Sequence, residues 1–221
     1  MTSQLIETTV QAIEQSAIVP VFYHDDADTC LSVLKACHQA GVKVFEFTNR
    51  GEAAKKNFEV LQNYAVQHPD LLLGIGTILS TEESKAFLSL GARFVVSPAL
   101  IPSMCAIQAN AYTPWVPGCG TVTEVVKAKE LGARLIKVFP GNVLGPAFVS
   151  AVRAILPEVK LMPTGGVEPN INNLTAWFDA GVVAVGMGSQ LFTKELINKK
   201  DWSGMEKRVK DTLSMINQIK N

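Results

Sequence analysis

Eight short apolar runs, each followed by a segment of helical periodicity, recur along this chain and restrict its fold more than any other feature. The runs are 17–22, 42–47, 71–75, 94–97, 112–116, 134–139, 159–163 and 182–186. Helical patterns fall between them: 28–39 with Asp28 as cap, 51–67, 80–90 capped by Ser80, 101–110, 121–131, 145–155, and from about 170 to Gly181. A further helix, Ser3 to Ser16, precedes the first run, and another, Trp202 to Ile219, closes the chain. Three junctions read alike: Gln39-Ala40-Gly41-Val42-Lys43-Val44, Ser89-Leu90-Gly91-Ala92-Arg93-Phe94 and Glu130-Leu131-Gly132-Ala133-Arg134-Leu135. Asp179-Ala180-Gly181-Val182 is a looser fourth copy. In each, glycine supplies the left-handed terminus that turns a helix into the next strand.

Alternation of this kind, with no long linker, implies a parallel sheet covered by helices. Eight units in 221 residues predict a single (β/α)8 TIM barrel of α/β class with an extra N-terminal helix, one domain over residues 1–221. An open, doubly wound sheet is the alternative. With 20 basic and 20 acidic residues the chain lacks the cationic excess that a general nucleic-acid or anionic-membrane surface needs. No run approaches the roughly 20 apolar residues of a membrane span. Met1 to Ser16 is polar and mixed in charge, unlike a signal peptide. Cys30, Cys37, Cys105 and Cys119 are scattered without a CxxC pair, which indicates neither a zinc knuckle nor a disulfide framework, and a cytoplasmic protein with reduced thiols is expected. His24-Asp25-Asp26 reads as a solvated turn rather than a metal site, because no second histidine has ligand spacing.

In a barrel of this type the chemistry belongs at the C-terminal strand ends. Lys137 lies in the sixth run, Arg134 to Phe139, and strand alternation puts Leu135, Lys137 and Phe139 on one face. Burying an ammonium costs several kcal/mol unless it pairs or gives up its proton, and a desolvated lysine amine suits Schiff-base chemistry. Taken alone, the stretch favours a strand-end lysine whose amine reaches back to water. The second run changes that, because alternation turns Val44, Glu46 and Thr48 toward the same interior, with Phe45 and Phe47 facing the helices. A carboxylate there needs a partner, either Lys137 or Arg50. Arg50, with its planar fork, suits a carboxylate or a phosphate. Glycines at 74, 76, 118 and 120 admit close backbone approach or ordinary tight turns. Cys119 reads as a small buried filler. Thr164-Gly165-Gly166 and Gly186-Met187-Gly188-Ser189, after the last two runs, form paired glycine loops of the sort that hold phosphate on backbone N–H groups.

Glu46-Phe47-Thr48-Asn49-Arg50, Gly74-Ile75-Gly76-Thr77, Ser97-Pro98, Pro117-Gly118, Lys137-Val138-Phe139-Pro140 and Pro163-Thr164-Gly165-Gly166-Val167 occur in order. Together they resemble the 2-keto-3-deoxy-6-phosphogluconate / 4-hydroxy-2-oxoglutarate aldolases, from about Ile18 to Phe192. The resemblance implies a class I lyase on a TIM barrel, a homotrimer acting on a small keto acid with neither metal nor cofactor. The substrate would be 2-keto-3-deoxy-6-phosphogluconate, cleaved to pyruvate and glyceraldehyde 3-phosphate, or 4-hydroxy-2-oxoglutarate, cleaved to pyruvate and glyoxylate. On matching positions, Lys137 would form the Schiff base and Glu46 would be the general acid/base. Arg50 and Thr77 would hold the pyruvyl carboxylate, and Pro98, Phe139 and Thr164 would line the pocket. Gly165, Gly166, Gly188 and Ser189 would bind phosphate. The chain departs from the family pattern at Asn49, usually aliphatic, at Gly51, commonly threonine, at Val138 and Gly141, and in its Gly-Met-Gly-Ser loop. A sugar-phosphate isomerase or epimerase, with Glu46 as base, and a non-catalytic phosphometabolite-binding paralogue are the alternative readings.

Overall fold

A computed structural model describes residues 2–220, so Met1 and Asn221, the two ends of the predicted domain, lie outside the described residues. The chain opens with α1 (Thr2–Ser16), followed by β1 (Ile18–Phe22), α2 (Ala27–Gln39), β2 (Val44–Thr48), α3 (Ala54–Val66), β3 (Leu72–Gly76) and α4 (Thr81–Ser89). Next come β4 (Val95–Val96), a 3-10 turn at Pro102–Met104, α5 (Cys105–Ala111), β5 (Trp115–Val116), β6 (Gly118–Cys119) and α6 (Val122–Glu130). The remainder is β7 (Ile136–Val138), α7 (Gly141–Ile155), β8 (Leu161–Pro163), α8 (Ile171–Asp179), β9 (Val185–Met187), α9 (Lys194–Asn198) and α10 (Trp202–Lys220). Every strand pairing is parallel.

The four repeated junctions behave as their glycines require: Gly41, Gly91, Gly132 and Gly181 have φ values of 105°, 97°, 87° and 98°. The strands form two sheets, ordered β5-β4-β3-β2-β1-β9 and β6-β7-β8. The larger order runs from β5 back to β1 without the reversal that defines a doubly wound sheet. The fifth predicted strand, 112–116, holds only β5 at its end, and a further short strand, β6, follows after Pro117, which has no N–H to donate. Val116 pairs with Val96 in one sheet, whereas Gly118 pairs with Lys137 in the other, so the chain crosses between sheets at this proline. On the opposite side β8 and β9 are linked by a parallel bridge between Thr164 and Gly186 and by a bond from Val183 N–H to Leu161 C=O at 3.0 Å.

Several helix starts differ from expectation: α3 begins at Ala54 rather than 51, and α5 at Cys105, after the 3-10 turn, rather than 101. Asp26, not Asp28, caps α2: its backbone is extended, and its carboxylate accepts from Thr29 N–H at 2.9 Å and from Thr29 Oγ1 at 2.6 Å. The helix expected from Gly145 does start there, but a short helical turn from Gly141 precedes it, the two being separated by the non-helical backbone of Gly145 (φ 68°).

Two apolar layers result. The larger packs strands against helices and includes Phe45, Phe47, Ile136 and Val138. The smaller is enclosed by strands of both sheets: Val19, Val44, Phe94, Val96, Val116, Leu135, Met162 and Ala184, with Val10 and Ile13 from α1. The strand alternation inferred for β2 and β7 is therefore the one adopted. Lys160 of the β8 approach pairs with Glu14 of α1 at 2.6 Å, and Lys220 Nζ donates to Glu14 C=O at 3.1 Å, which ties α1 to the far end of the chain.

Ile13 is fully buried within that inner layer. Ile13→Ala should cost about 2–5 kcal/mol in urea unfolding, by lost transfer energy plus a cavity; an exposed α1 residue such as Gln11 changed to Ala should shift it by less than about 0.5 kcal/mol.

Candidate active site

Two residues on from several apolar positions of the inner layer, the same strand face changes character, although Val19 is followed by the apolar Val21. Val44 is succeeded by Glu46 and Thr48, Leu135 by Lys137 and Phe139, and Met162 by Thr164. On neighbouring strands Val96 leads to Pro98, Val116 to Gly118, and Ala184 to Gly186 and Gly188. A period of two therefore carries the candidate residues from the interior to the C-terminal strand ends.

Lys137 and Glu46 meet on this face. Nζ lies 3.5 Å from Glu46 Oε1, and the two side chains are 6% and 0% exposed. Of the two partners left open by the sequence, Glu46 thus takes Lys137. Neither Glu46 oxygen receives a hydrogen bond among the described residues, so beyond the ion pair the carboxylate keeps its accepting capacity. The Phe139 ring centroid is 5.3 Å from Nζ. Gly76 packs directly beneath the carboxylate: a Cβ there would overlap Oε1 and stand 2.6 Å from Cδ. The glycines at 74, 76 and 118 thus make room for protein atoms, namely the Phe94 ring, the Glu46 carboxylate and the Pro98 backbone.

The remaining candidates surround this pair at the strand ends. Thr77, immediately after β3, is half-buried and left-handed (φ 61°), a strained state for a β-branched residue. Thr164 is buried, its Oγ1 has no hydrogen-bond partner among the described residues, and it faces Gly186, where a Cβ would overlap it. Gly165 (φ 90°) and Gly166 (φ 71°) turn over Asn142 at the start of α7, and a Cβ on Gly166 would come within 2.7 Å of Asn142 Cα. Pro98 is half-buried and its backbone lies against Gly118. Arg50 is exposed. It lines a cavity of about 250 Å3 with Val21, Phe22, Tyr23, Thr48, Gly188, Ser189 and Phe192. Arg50 and the Gly188–Ser189 loop therefore share one cavity, while Thr77, Pro98 and the Gly165–Gly166 turn stand outside its wall.

Sequence reasoning missed Tyr23, Phe192 and Asn142, whose places depend on register between distant strands. The Tyr23 hydroxyl donates to Asp25 Oδ1 at 2.5 Å, and that hydrogen bond, with burial and the Asp25 charge, pushes it up to about 12. Cys119 is buried, and burial pushes its thiol up to about 12, which suits a filler and not a thiolate. The His24 turn is closed internally, with Asp26 N–H donating to His24 Nδ1 at 3.0 Å. No cluster of three metal-ligating side chains occurs among the described residues, and no helix among them is long and apolar enough to cross a membrane.

Comparison with known proteins places the whole arrangement. A family model described as KDPG and KHG aldolase matches residues 9–208. The 2-dehydro-3-deoxy-phosphogluconate aldolase of Haemophilus influenzae is 32% identical over 216 residues, spanning 95% of this chain and 98% of that protein. The protein of the same description from Treponema pallidum is 29% identical over 210 residues, with the same coverage of 95% and 98%. Among solved structures, KDPG aldolase from Legionella pneumophila, with pyruvate captured at low pH as a covalent carbinolamine intermediate, superposes with a TM-score of 0.83 at 27% identity. That match covers 91% of this chain and 96% of the Legionella chain.

Removing one partner of a buried pair strands the other. Lys137→Met should lower unfolding stability by about 3–5 kcal/mol, and adding Glu46→Gln should recover most of the loss. Equal stability of the single variant and the wild type in urea would show that the pair is not held in the interior.

Proposed function

The chain belongs to the KDPG and KHG aldolase family, which makes it an aldolase-type lyase, and we propose that it cleaves a 2-keto-3-deoxy or 4-hydroxy-2-oxo acid through a Schiff base on Lys137. The observation that carries this reading is the buried Lys137–Glu46 pair, with an amine 3.5 Å from a carboxylate that accepts no other hydrogen bond among the described residues. The capture of pyruvate as a covalent carbinolamine by the similar Legionella protein supports it. The scaffold is a single (β/α)8 barrel whose two sheets join at Pro117 and at the Thr164–Gly186 bridge.

Lys137 passes a proton to Glu46, and its free amine attacks the C2 ketone. Glu46 delivers a proton to the departing hydroxyl, and water leaves as the protonated imine forms. The C3–C4 bond then breaks with its electron pair drawn into the imine, giving an enamine, while Glu46 takes the proton of the C4 hydroxyl and the aldehyde departs. Protonation at C3 and hydrolysis return pyruvate and the free amine. No metal or cofactor is required, since the protonated imine is the electron sink. Arg50, with Thr77, holds the pyruvyl carboxylate by charge-assisted hydrogen bonds. Phe139 and Pro98 wall the imine, and Thr164 stands near the substrate hydroxyls. Backbone N–H groups of the Gly165–Gly166 and Gly188–Ser189 turns receive a phosphate. The substrates are 2-keto-3-deoxy-6-phosphogluconate and 4-hydroxy-2-oxoglutarate, and the protein works as a cytoplasmic homotrimer.

Borohydride added with pyruvate should trap a reduced adduct on Lys137, located by peptide mass spectrometry, and Lys137→Ala should abolish both adduct and cleavage. An isomerase or epimerase using Glu46 alone would keep turning over under borohydride. A protein that only binds phosphometabolites would show affinity without an adduct. Full cleavage by Lys137→Ala would end the Schiff-base reading.

A further inference from the structure

The turn that carries Arg50 is held within itself by two backbone bonds, from Arg50 N–H to Thr48 C=O and from Ala54 N–H to Gly51 C=O, both at 3.0 Å, neither of which reaches the arginine side chain. This turn runs from Thr48, the end of β2, to Ala54, the start of α3, and the residue before α3, Ala53, makes no side-chain cap. Gly51 brings no side chain. No ion pair among the described residues involves Arg50, which is exposed. An arginine in such a place would sample many rotamers, a poor receptor for a carboxylate.

Two neighbours supply the missing restraint. On one side Asn49 Nδ2 donates to Glu83 Oε1 at 3.3 Å, and Glu83 Oε2 accepts from Leu79 N–H at 2.8 Å. Asn49 N–H also donates to Gly76 C=O at 2.9 Å, which ties the turn to the strand end that carries Thr77. On the other side Tyr23 reaches from the end of β1 and lays its hydroxyl on Gly51, where a Cβ would overlap the hydroxyl and stand 2.8 Å from Cζ. The tyrosine is itself fixed, by its hydrogen bond to Asp25 and by its ring against Phe47 at 5.6 Å between centroids. Tyr23 and Arg50 line the same cavity.

We infer that Tyr23 and Asn49 are positioning residues for Arg50, through which Asp25 and Glu83 clamp the β2–α3 turn from opposite sides. Two departures from the family pattern acquire a physical cause. Asn49 stands where an aliphatic residue is usual because it must reach Glu83. Gly51 stands where threonine is common because Tyr23 occupies that side chain's space. The inference rests on the reading of Arg50 as the carboxylate receptor.

The test uses the full-length protein and pyruvate as probe, following borohydride trapping on Lys137 as pyruvate is varied. Tyr23→Phe and Asn49→Leu should each raise the half-saturating pyruvate concentration about tenfold, with the trapping plateau kept within about twofold, the signature of lost ground-state binding. Tyr23→Trp, which fills the space without the hydroxyl, should not restore it. Gly51→Ala should behave like the clamp variants, and adding Tyr23→Val, which vacates the space, should bring half-saturation back toward wild type. Amide hydrogen exchange of residues 49–53, which needs no ligand, should quicken in Tyr23→Phe and Asn49→Leu. Unchanged half-saturation in both variants, where Arg50→Lys raises it, overturns the clamp and leaves the aldolase reading intact. A plateau that falls in step with affinity also overturns it, as general loss of structure. If wild type yields no adduct, the Schiff-base reading fails, and the exchange data alone decide: unchanged protection at 49–53 overturns the clamp, faster exchange upholds it.

Discussion

A lysine and a glutamate brought together out of water govern the rest of this architecture. Either side chain alone in the interior would lose its hydration without compensation, and together they still leave the carboxylate short of hydrogen bonds among the described residues. Replacing such a pair with packed hydrocarbon is commonly neutral or stabilising, so its presence is weak evidence for stability and better evidence for chemistry. The neighbouring strand accommodates it. Gly76 gives up its side chain so that the carboxylate can lie flat against β3. The next residue, Thr77, enters a left-handed backbone state that a β-branched side chain disfavours.

Several strands, β2, β7 and β8 among them, place an apolar residue low on the inner face and a polar one two positions later. Low on that face, Val44, Leu135 and Met162 pack with Val10 and Ile13; higher, Glu46, Lys137 and Thr164 look toward the strand ends. The apolar layer stabilises the chain, and the layer above it holds buried polar groups. Outside both, the Phe45, Phe47, Ile136 and Val138 layer fixes the strands against helices. Lys137 and Glu46 are accordingly mounted on strands buried on both faces, which holds their amine and carboxylate at a fixed separation.

Much of this was legible in the chain because its controlling signals are local. Strand alternation put Lys137 and Glu46 on the correct faces, and the junction glycines marked the helix ends at Gly41, Gly91, Gly132 and Gly181. What escaped was set by register between segments far apart in sequence. Nothing near Gly51 announces that Tyr23 will lie on it, and Gly76 reads as a turn glycine until β3 is aligned with β2. The capping error at α2 is of another kind. Asp25, Asp26 and Asp28 are all plausible caps, and only the backbone, extended at Asp26, selects among them. The short strand at Gly118–Cys119 escaped because Pro117-Gly118 reads as the close of the fifth strand, whereas the chain continues past the proline into the second sheet.

The placement of α1 bears on how the molecule comes to be folded at all. Its apolar residues, Val10 and Ile13, complete a cluster whose other members extend from Val19 to Ala184. The cavity they fill is therefore not formed until nearly the whole chain has paired. Lys220, in the last helix, helps to fasten α1 there by donating to Glu14 C=O. The apolar floor beneath Glu46 and Lys137 is thus sealed by a helix remote in sequence from most of the strands it covers.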